Sequence, residues 1–301
     1  MAAGLGELAA LGTALTWGVS SQVQSAVGRM VGATGVTLLR MPYQMFFLAA
    51  MCLALQADTR LNLGGVIFLG VSGFLGIFLC DFCLYRAFNI IGPSTAVLIL
   101  STSTAYTPLF GWLFLGEALP LLAVAGIAVT LAGIFIVVTE HSGSTLLPGQ
   151  AVPRGRELAL GILLSAVAAL TLSLSFILLK KGLQTDIDPL WATFVRLVIG
   201  ALLLWGAGLL RGWSRQAVAV LRHNRKVHWL LFFSCAFGAG GMWFASLAVS
   251  LAPVGVASTL IALQPVSVTV LGALWYRRRP TLRILTGIAV AFGGTALICL
   301  R

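Results

Sequence analysis

Apolar residues run in long blocks along this chain, and polar residues are confined to short breaks between them. A helix rises about 1.5 Å per residue, so about 20 apolar residues are enough to cross the hydrocarbon core of a bilayer. Ten such spans are predicted, at 5–27, 36–55, 65–89, 93–115, 121–139, 157–180, 189–210, 229–251, 254–276 and 281–300. Only the breaks at 140–156 and 211–228 are long. The first is rich in Gly, Pro and Ser and divides the spans five and five. The expected organisation is a five-helix unit at 1–140, a linker at 141–156 and a second five-helix unit at 157–301.

The two units share an outline. Gly92-Pro93 opens span 4 much as Ala252-Pro253 opens span 9. Gly111, Gly126-Ile-Ala-Val129 and Gly133 return 161 residues later as Gly272, Gly287-Ile-Ala-Val290 and Gly294. Glu7-Leu-Ala is echoed by Glu157-Leu-Ala, and Arg40 near the start of span 2 by Arg196 near the start of span 7. Arg277-Arg278-Arg279 stands where the first unit has Gly116-Glu117-Ala118. An offset held over tens of residues marks an internal repeat. A unit with an odd number of crossings re-enters the membrane upside down. The expected fold is therefore an all-α membrane protein of ten transmembrane helices, arranged as two inverted five-helix repeats, a recurrent transporter architecture. A scaffold that duplicated only to bury itself is the other way to use such a repeat.

Composition supports the membrane. Of 301 residues, 59% are hydrophobic and 9% charged, with mean hydropathy +1.02, too apolar for a soluble domain of this length. The net charge of +11 would suggest nucleic acid in a soluble protein. Here it is read as basic loops facing an anionic cytoplasmic leaflet, with membrane lipid rather than nucleic acid as partner. Thirteen Lys and Arg follow the odd-numbered spans, and four (Arg60, Lys180, Lys181, Arg301) lie on the other side. That asymmetry puts the odd-numbered loops in the cytoplasm and both termini outside. Basic segment 211–228, with Trp213, Val218 and Leu221, reads either as an interfacial helix or as a solvated loop. No basic stretch precedes span 1, so no cleaved signal peptide is expected. All five cysteines lie in apolar spans. Cys80 and Cys83 form a C-x-x-C without a second Cys or His pair nearby, so no metal and no cofactor are expected.

Polar groups well inside a span should face the protein interior, because an unpaired one is costly in hydrocarbon. In span 1, Thr13, Trp17, Ser20, Ser21 and Gln24 fall on one helix face. Trp17 there can stack on an aromatic or cationic substrate or pack on a neighbouring helix. Span 4 carries Ser101-Thr102-Ser103-Thr104-Ala105-Tyr106 ahead of Pro108, and span 9 carries Ser258, Thr259, Gln264 and Pro265. Pro108 and Pro265 are candidate hinges, since each removes an N–H and frees a carbonyl one turn back. Span 6 adds Thr171, Ser173 and Ser175, and span 8 adds Trp243. Asp81 is the one carboxylate deep in a span, with Tyr85 one turn on. Either Arg40 or Arg86 can neutralise it as a structural ion pair, or it serves a substrate amine or a coupled proton.

These features together resemble the EamA-type branch of the drug/metabolite transporter superfamily. The likeness rests on ten spans in two halves, the Gly92-Pro93 opening, the Leu115-Gly-Glu117 exit and the small-residue fifth and tenth spans. Arg277-Arg278-Arg279 departs from it. Among members, YddG-type bacterial exporters of aromatic and other amino acids are the nearest likeness. The resemblance implies a central cavity lined by spans 1, 3, 4, 6, 8 and 9, with spans 5 and 10 peripheral. It implies alternating-access export of amino acids across a bacterial inner membrane, by a protein that can work as a monomer. The candidate substrate-binding set is Trp17, Ser21, Gln24, Asp81, Tyr85, Thr102, Tyr106, Thr171, Ser175, Trp243, Thr259 and Gln264.

Other classes have weaker support. Gly70-Val-Ser-Gly73 matches the G-x-S-G of intramembrane serine proteases, but His141, His223 and His228 lie in loops or at the water interface. Nucleophilic catalysis needs a base within reach. No Walker loop or H-E-x-x-H is present, so neither ATP use nor enzyme chemistry is expected. A channel would need a ring of charges or carbonyls, and none is suggested. Within transporters, the competing cargo is a nucleotide sugar or phosphorylated metabolite, for which Arg40 and Arg196 are the cationic candidates.

Overall fold

A computed structural model describes residues 2–60, 62–91, 93–118, 120–141, 155–213, 218, 219, 221, 224–275 and 281–299. Gly92, most of the linker, parts of the 211–228 segment, Arg277-Arg278-Arg279 and Arg301 lie outside these. Every regular element is helical. The helices are α1 (Ala2–Val31), α2 (Ala33–Ala54), α3 (Leu63–Gly73), a π-helical segment (Phe74–Leu79) and α4 (Cys80–Ile91). Then follow α5 (Pro93–Leu100), α6 (Ser103–Leu115), α7 (Leu121–His141), α8 (Arg156–Leu183) and α9 (Pro189–Leu210). The chain closes with α10 (Arg225–Leu251), α11 (Val254–Ile261), α12 (Gln264–Trp275) and α13 (Leu282–Cys299).

Local signals explain the ends. Asn62 and Asn224 accept the N–H groups of Gly65 and Val227, and Asp188 accepts those of Leu190 and Trp191 ahead of Pro189, so all three cap their helices. Gly116 ends α6 in the left-handed region at φ 65°. Among the described residues, five helical segments are long and apolar enough to cross a membrane: Thr34–Ala54, Leu63–Phe88, Arg156–Leu183, Pro189–Leu210 and Arg225–Leu251. Shorter apolar helices accompany them. Large apolar side chains face outward in runs along these helices, Leu202, Leu203, Leu209 and Leu210 on α9 among them, an exposed surface that suits lipid rather than water.

Small residues set the packing. α7 lies along α13, where a Cβ on Gly133 would land on the Ala291 backbone N and one on Gly294 on the Thr130 backbone N. Without a hydrophobic drive between helices in lipid, such backbone approach supplies the attraction. α1 lies along α10, and α8 along α3, the π segment and α4. Ser20 and Ser234 each donate to the other's backbone carbonyl, at 2.9 and 3.1 Å. Ser72 and Ser175 do the same, at 2.6 and 2.8 Å.

Spans 4 and 9 are both interrupted, at Ser101-Thr102 and at Ala262-Leu263. In span 4 the backbone tightens to bonds three residues back, such as Thr102 N–H to Ile99 O, while the Thr102 and Thr104 hydroxyls take the Ile99 and Ser101 carbonyls. The break expected around Pro108 is thus displaced: Pro108 lies within the continuous α6, buried against Gly255. Pro265 does sit beside its break, in the first turn of α12, where its missing N–H costs little.

Candidate functional site

The polar residues of the central helices are joined across helices, and they fall into three groups. The first ties α1 to its neighbours. Trp17 Nε1 donates to Gly238 O at 3.3 Å, and a Cβ on Gly241 would strike the same pyrrole edge of the indole, so Trp17 turns that edge to α10. Gln24 bonds the Ser20 hydroxyl, Gln264 bonds the Ser21 hydroxyl, and Gln22 reaches the Val268 carbonyl. At the level of Ser20 and Ser234, where a central chamber was expected, α1 and α10 are in direct contact. The reason is the small-residue seam of Ser234, Gly238 and Gly241.

The second group surrounds Asp81. Arg40 on α2 forms the ion pair with it, while Arg86 is exposed and stands over the Phe82 ring. Asp81 and Tyr85 line a small, open crevice with Thr37, Phe82, Leu204 and Trp213. It lies between α2, α4 and α9, so of the lining spans implied by the resemblance only span 3 borders it. Arg211 stands over the rings of two of its lining residues, Phe82 and Trp213.

The third group centres on Arg196 of α9. Its Nη2 donates to Ser175 Oγ at 3.0 Å, and its Nε is buried without a hydrogen-bond partner. Among the described residues no carboxylate is within ion-pair distance of it. The π segment of span 3 runs past this guanidinium. Gly73 lets the Arg196 backbone carbonyl approach, and Gly76 sits under Ser175 Oγ.

The remaining candidates stand apart. Tyr106 stacks on Phe110 and Trp243 on Phe244, both within their own helices. Thr102, Thr171 and Thr259 return their hydroxyls to carbonyls three or four residues back. Ser72 of the G-x-S-G stretch is tied to Ser175. His228, the histidine whose side chain is described, bonds Tyr43 instead.

Sequence reasoning passed over two charged groups. Lys180, counted as a loop cation, donates to the Val249, Ser250 and Ala252 carbonyls at the C-terminus of α10. Glu117 accepts the Val254 N–H at the start of α11, at 2.8 Å. One turn is therefore held from both sides. A lysine near a span end and a Gly-Glu exit were the available signals, but neither specifies its target. Cys52, Cys80, Cys83 and Cys235, the cysteines whose side chains are described, are buried and free.

Comparison with known proteins adds the family and the fold. The profile of the EamA-like transporter family matches residues 4–139 and 159–300. A solved structure titled only as the crystal structure of a protein superposes with a TM-score of 0.75. It is 19% identical over 98% of this chain and 96% of its own, a likeness of fold alone. No curated protein matches the sequence.

Proposed function

The chain belongs to the EamA-like transporter family of the drug/metabolite transporter superfamily, and from that footing we propose that it exports amino acids by alternating access. It is a multi-pass membrane protein. In the proposal, ten helices cross a bacterial inner membrane as two inverted units, 1–140 and 157–301, with both termini outside. The cargo is aromatic and other small zwitterionic amino acids, as in YddG-type exporters.

The observation that carries this reading is the exchange of equivalent contacts between the halves. Ser20 meets Ser234 as Ser175 meets Ser72. Gly133 meets Ala291 as Gly294 meets Thr130. Gly161 faces Ile91 as Gly6 faces Ala252. When each of two similar units gives its partner the contact it receives, an approximate two-fold axis relates them. With five crossings per unit that axis lies in the membrane plane, and the halves can exchange shapes to open either side. Interrupted helices in both halves, α5/α6 and α11/α12, supply backbone able to bend near that axis.

The polar residues near the axis are mainly hydroxyls, amides and tryptophans, which suits zwitterionic or aromatic cargo. Arg196 is the observation that favours the competing reading, a phosphorylated metabolite or nucleotide sugar. Purified protein in liposomes should take up radiolabelled phenylalanine by counterflow, with excess amino acids competing and sugar phosphates failing to compete. Competition by sugar phosphates alone would replace this cargo with the phosphorylated one.

A further inference from the structure

The halves share a buried arginine, Arg40 in the first and Arg196 in the second, but differ in what stands beside it. The sequence suggests a single offset of 161 residues, but the contacts require two. As far as the middle of the π segment of span 3, equivalent residues are 162 apart: Ser72 with Ser234, and Gly76 with Gly238, the latter glycines facing Ser175 and Ser20. Beyond it they are 161 apart: Tyr85 bonds Thr37 as Ser246 bonds Thr193, and Ile91 matches Ala252. A π turn holds one residue more than an α turn, and Cys80 N–H reaches back five residues to Leu75 O. The π segment accounts for the lost residue.

With that register, Arg40 and Asp81 of the first half correspond to Arg196 and Met242 of the second. The second half keeps the arginine and lacks its acid. Arg40 also has a buried Nε without a partner, but its charge is neutralised by Asp81. Arg196 has a serine hydroxyl and nothing anionic among the described residues. A desolvated cation without a counter-charge is costly, and such a group calls for an explanation. π segments also concentrate at functional sites.

We propose that Arg196 binds the carboxylate of the transported molecule, which takes the place that Asp81 fills in the other half. One arm of the guanidinium donates to Ser175 Oγ, and Nε and the remaining N–H groups donate to the ligand's carboxylate oxygens. Met242 leaves the acid's position uncharged and gives the cargo side chain a soft apolar neighbour. The inference rests on the amino-acid reading above and adds the group that recognises the carboxylate.

The test uses the full chain in liposomes, with counterflow of radiolabelled phenylalanine competed by phenylalanine and by phenethylamine, which lacks the carboxylate. Phenethylamine is expected to compete at least about 30-fold less well, as when one partner of a desolvated charge pair is removed. Met242→Asp provides an internal carboxylate for Arg196. It is expected to lower phenylalanine counterflow by a similar factor while its melting temperature in detergent stays at or above that of the unaltered protein. Equal competition by phenethylamine overturns the carboxylate assignment and leaves the cargo reading intact. So does a folded Met242→Asp variant with unchanged counterflow. No counterflow of any amino acid by the unaltered protein refutes the cargo reading, and the assignment falls with it. If Met242→Asp does not fold, the analogue comparison on unaltered protein decides alone.

Discussion

Replacing Asp81 by Asn would put Arg40 in the state that Arg196 already occupies, a guanidinium among helices with no acid beside it. The side chains of Arg40 and Asp81 are only 19% and 15% exposed, so water screens the pair little. Breaking a buried pair from one side typically costs about 3–5 kcal/mol, because the survivor is left charged and desolvated. With the remaining exposure, Asp81→Asn should cost about 3 kcal/mol. Arg40→Gln should cost less, because a stranded carboxylate can shed its charge by protonation and a stranded guanidinium cannot. The double variant Arg40→Gln/Asp81→Asn removes both charges together. It should lie only about 1–2 kcal/mol below the unaltered protein, since a neutral pair of similar size is close to an even exchange. The cycle therefore predicts a coupling of about 2 kcal/mol, read from equilibrium unfolding in mixed detergent micelles. Additive single effects, or single effects below about 0.5 kcal/mol, would show that the pair is no mutual counter-charge, and Arg40 would no longer differ from Arg196 in being neutralised. Transport by the folded double variant should keep the pH profile of the unaltered protein. A flattened profile would mean that the Asp81 proton belongs to the transport cycle.

Three further outcomes are expected. Gly133→Ala should destabilise by about 1–3 kcal/mol, because its methyl lands on the Ala291 backbone and no rotamer change can move it away. Gly293→Ala has open space and should be neutral or slightly stabilising, so equal melting temperatures for the two variants would refute the α7–α13 contact. Lys180→Met strips a charged donor from three carbonyls at the end of α10 and should cost about 1–2 kcal/mol in the same unfolding assay. An unchanged midpoint would count against that cap. In a cysteine-free background, Lys181→Cys and Arg60→Cys should react with an impermeant maleimide added outside intact cells, and Arg211→Cys only after permeabilisation. The reverse pattern would invert the proposed orientation.

Hydropathy along the chain was enough to mark membrane-spanning helices and the membrane as solvent. Transfer into lipid is nearly additive over neighbouring residues, so a one-dimensional pattern reports it. The repeat was legible too, because glycines at helix crossings and prolines at span starts are demanded by local geometry. The sequence also narrowed the partner of Asp81 to Arg40 or Arg86, and only the packing of α2 against α4 chose between them. Three further features came from tertiary structure alone: the extra residue of the π segment, the span 4 break at Ser101-Thr102 rather than Pro108, and the targets of Lys180 and Glu117. The π segment mattered most, since a one-residue slip decides whether Met242 or Trp243 stands opposite Asp81. Each of these depends on which backbone groups and hydroxyls meet across helices. In lipid that choice has no hydrophobic gradient to guide it and is settled by close packing and hydrogen-bond geometry between segments far apart in the chain.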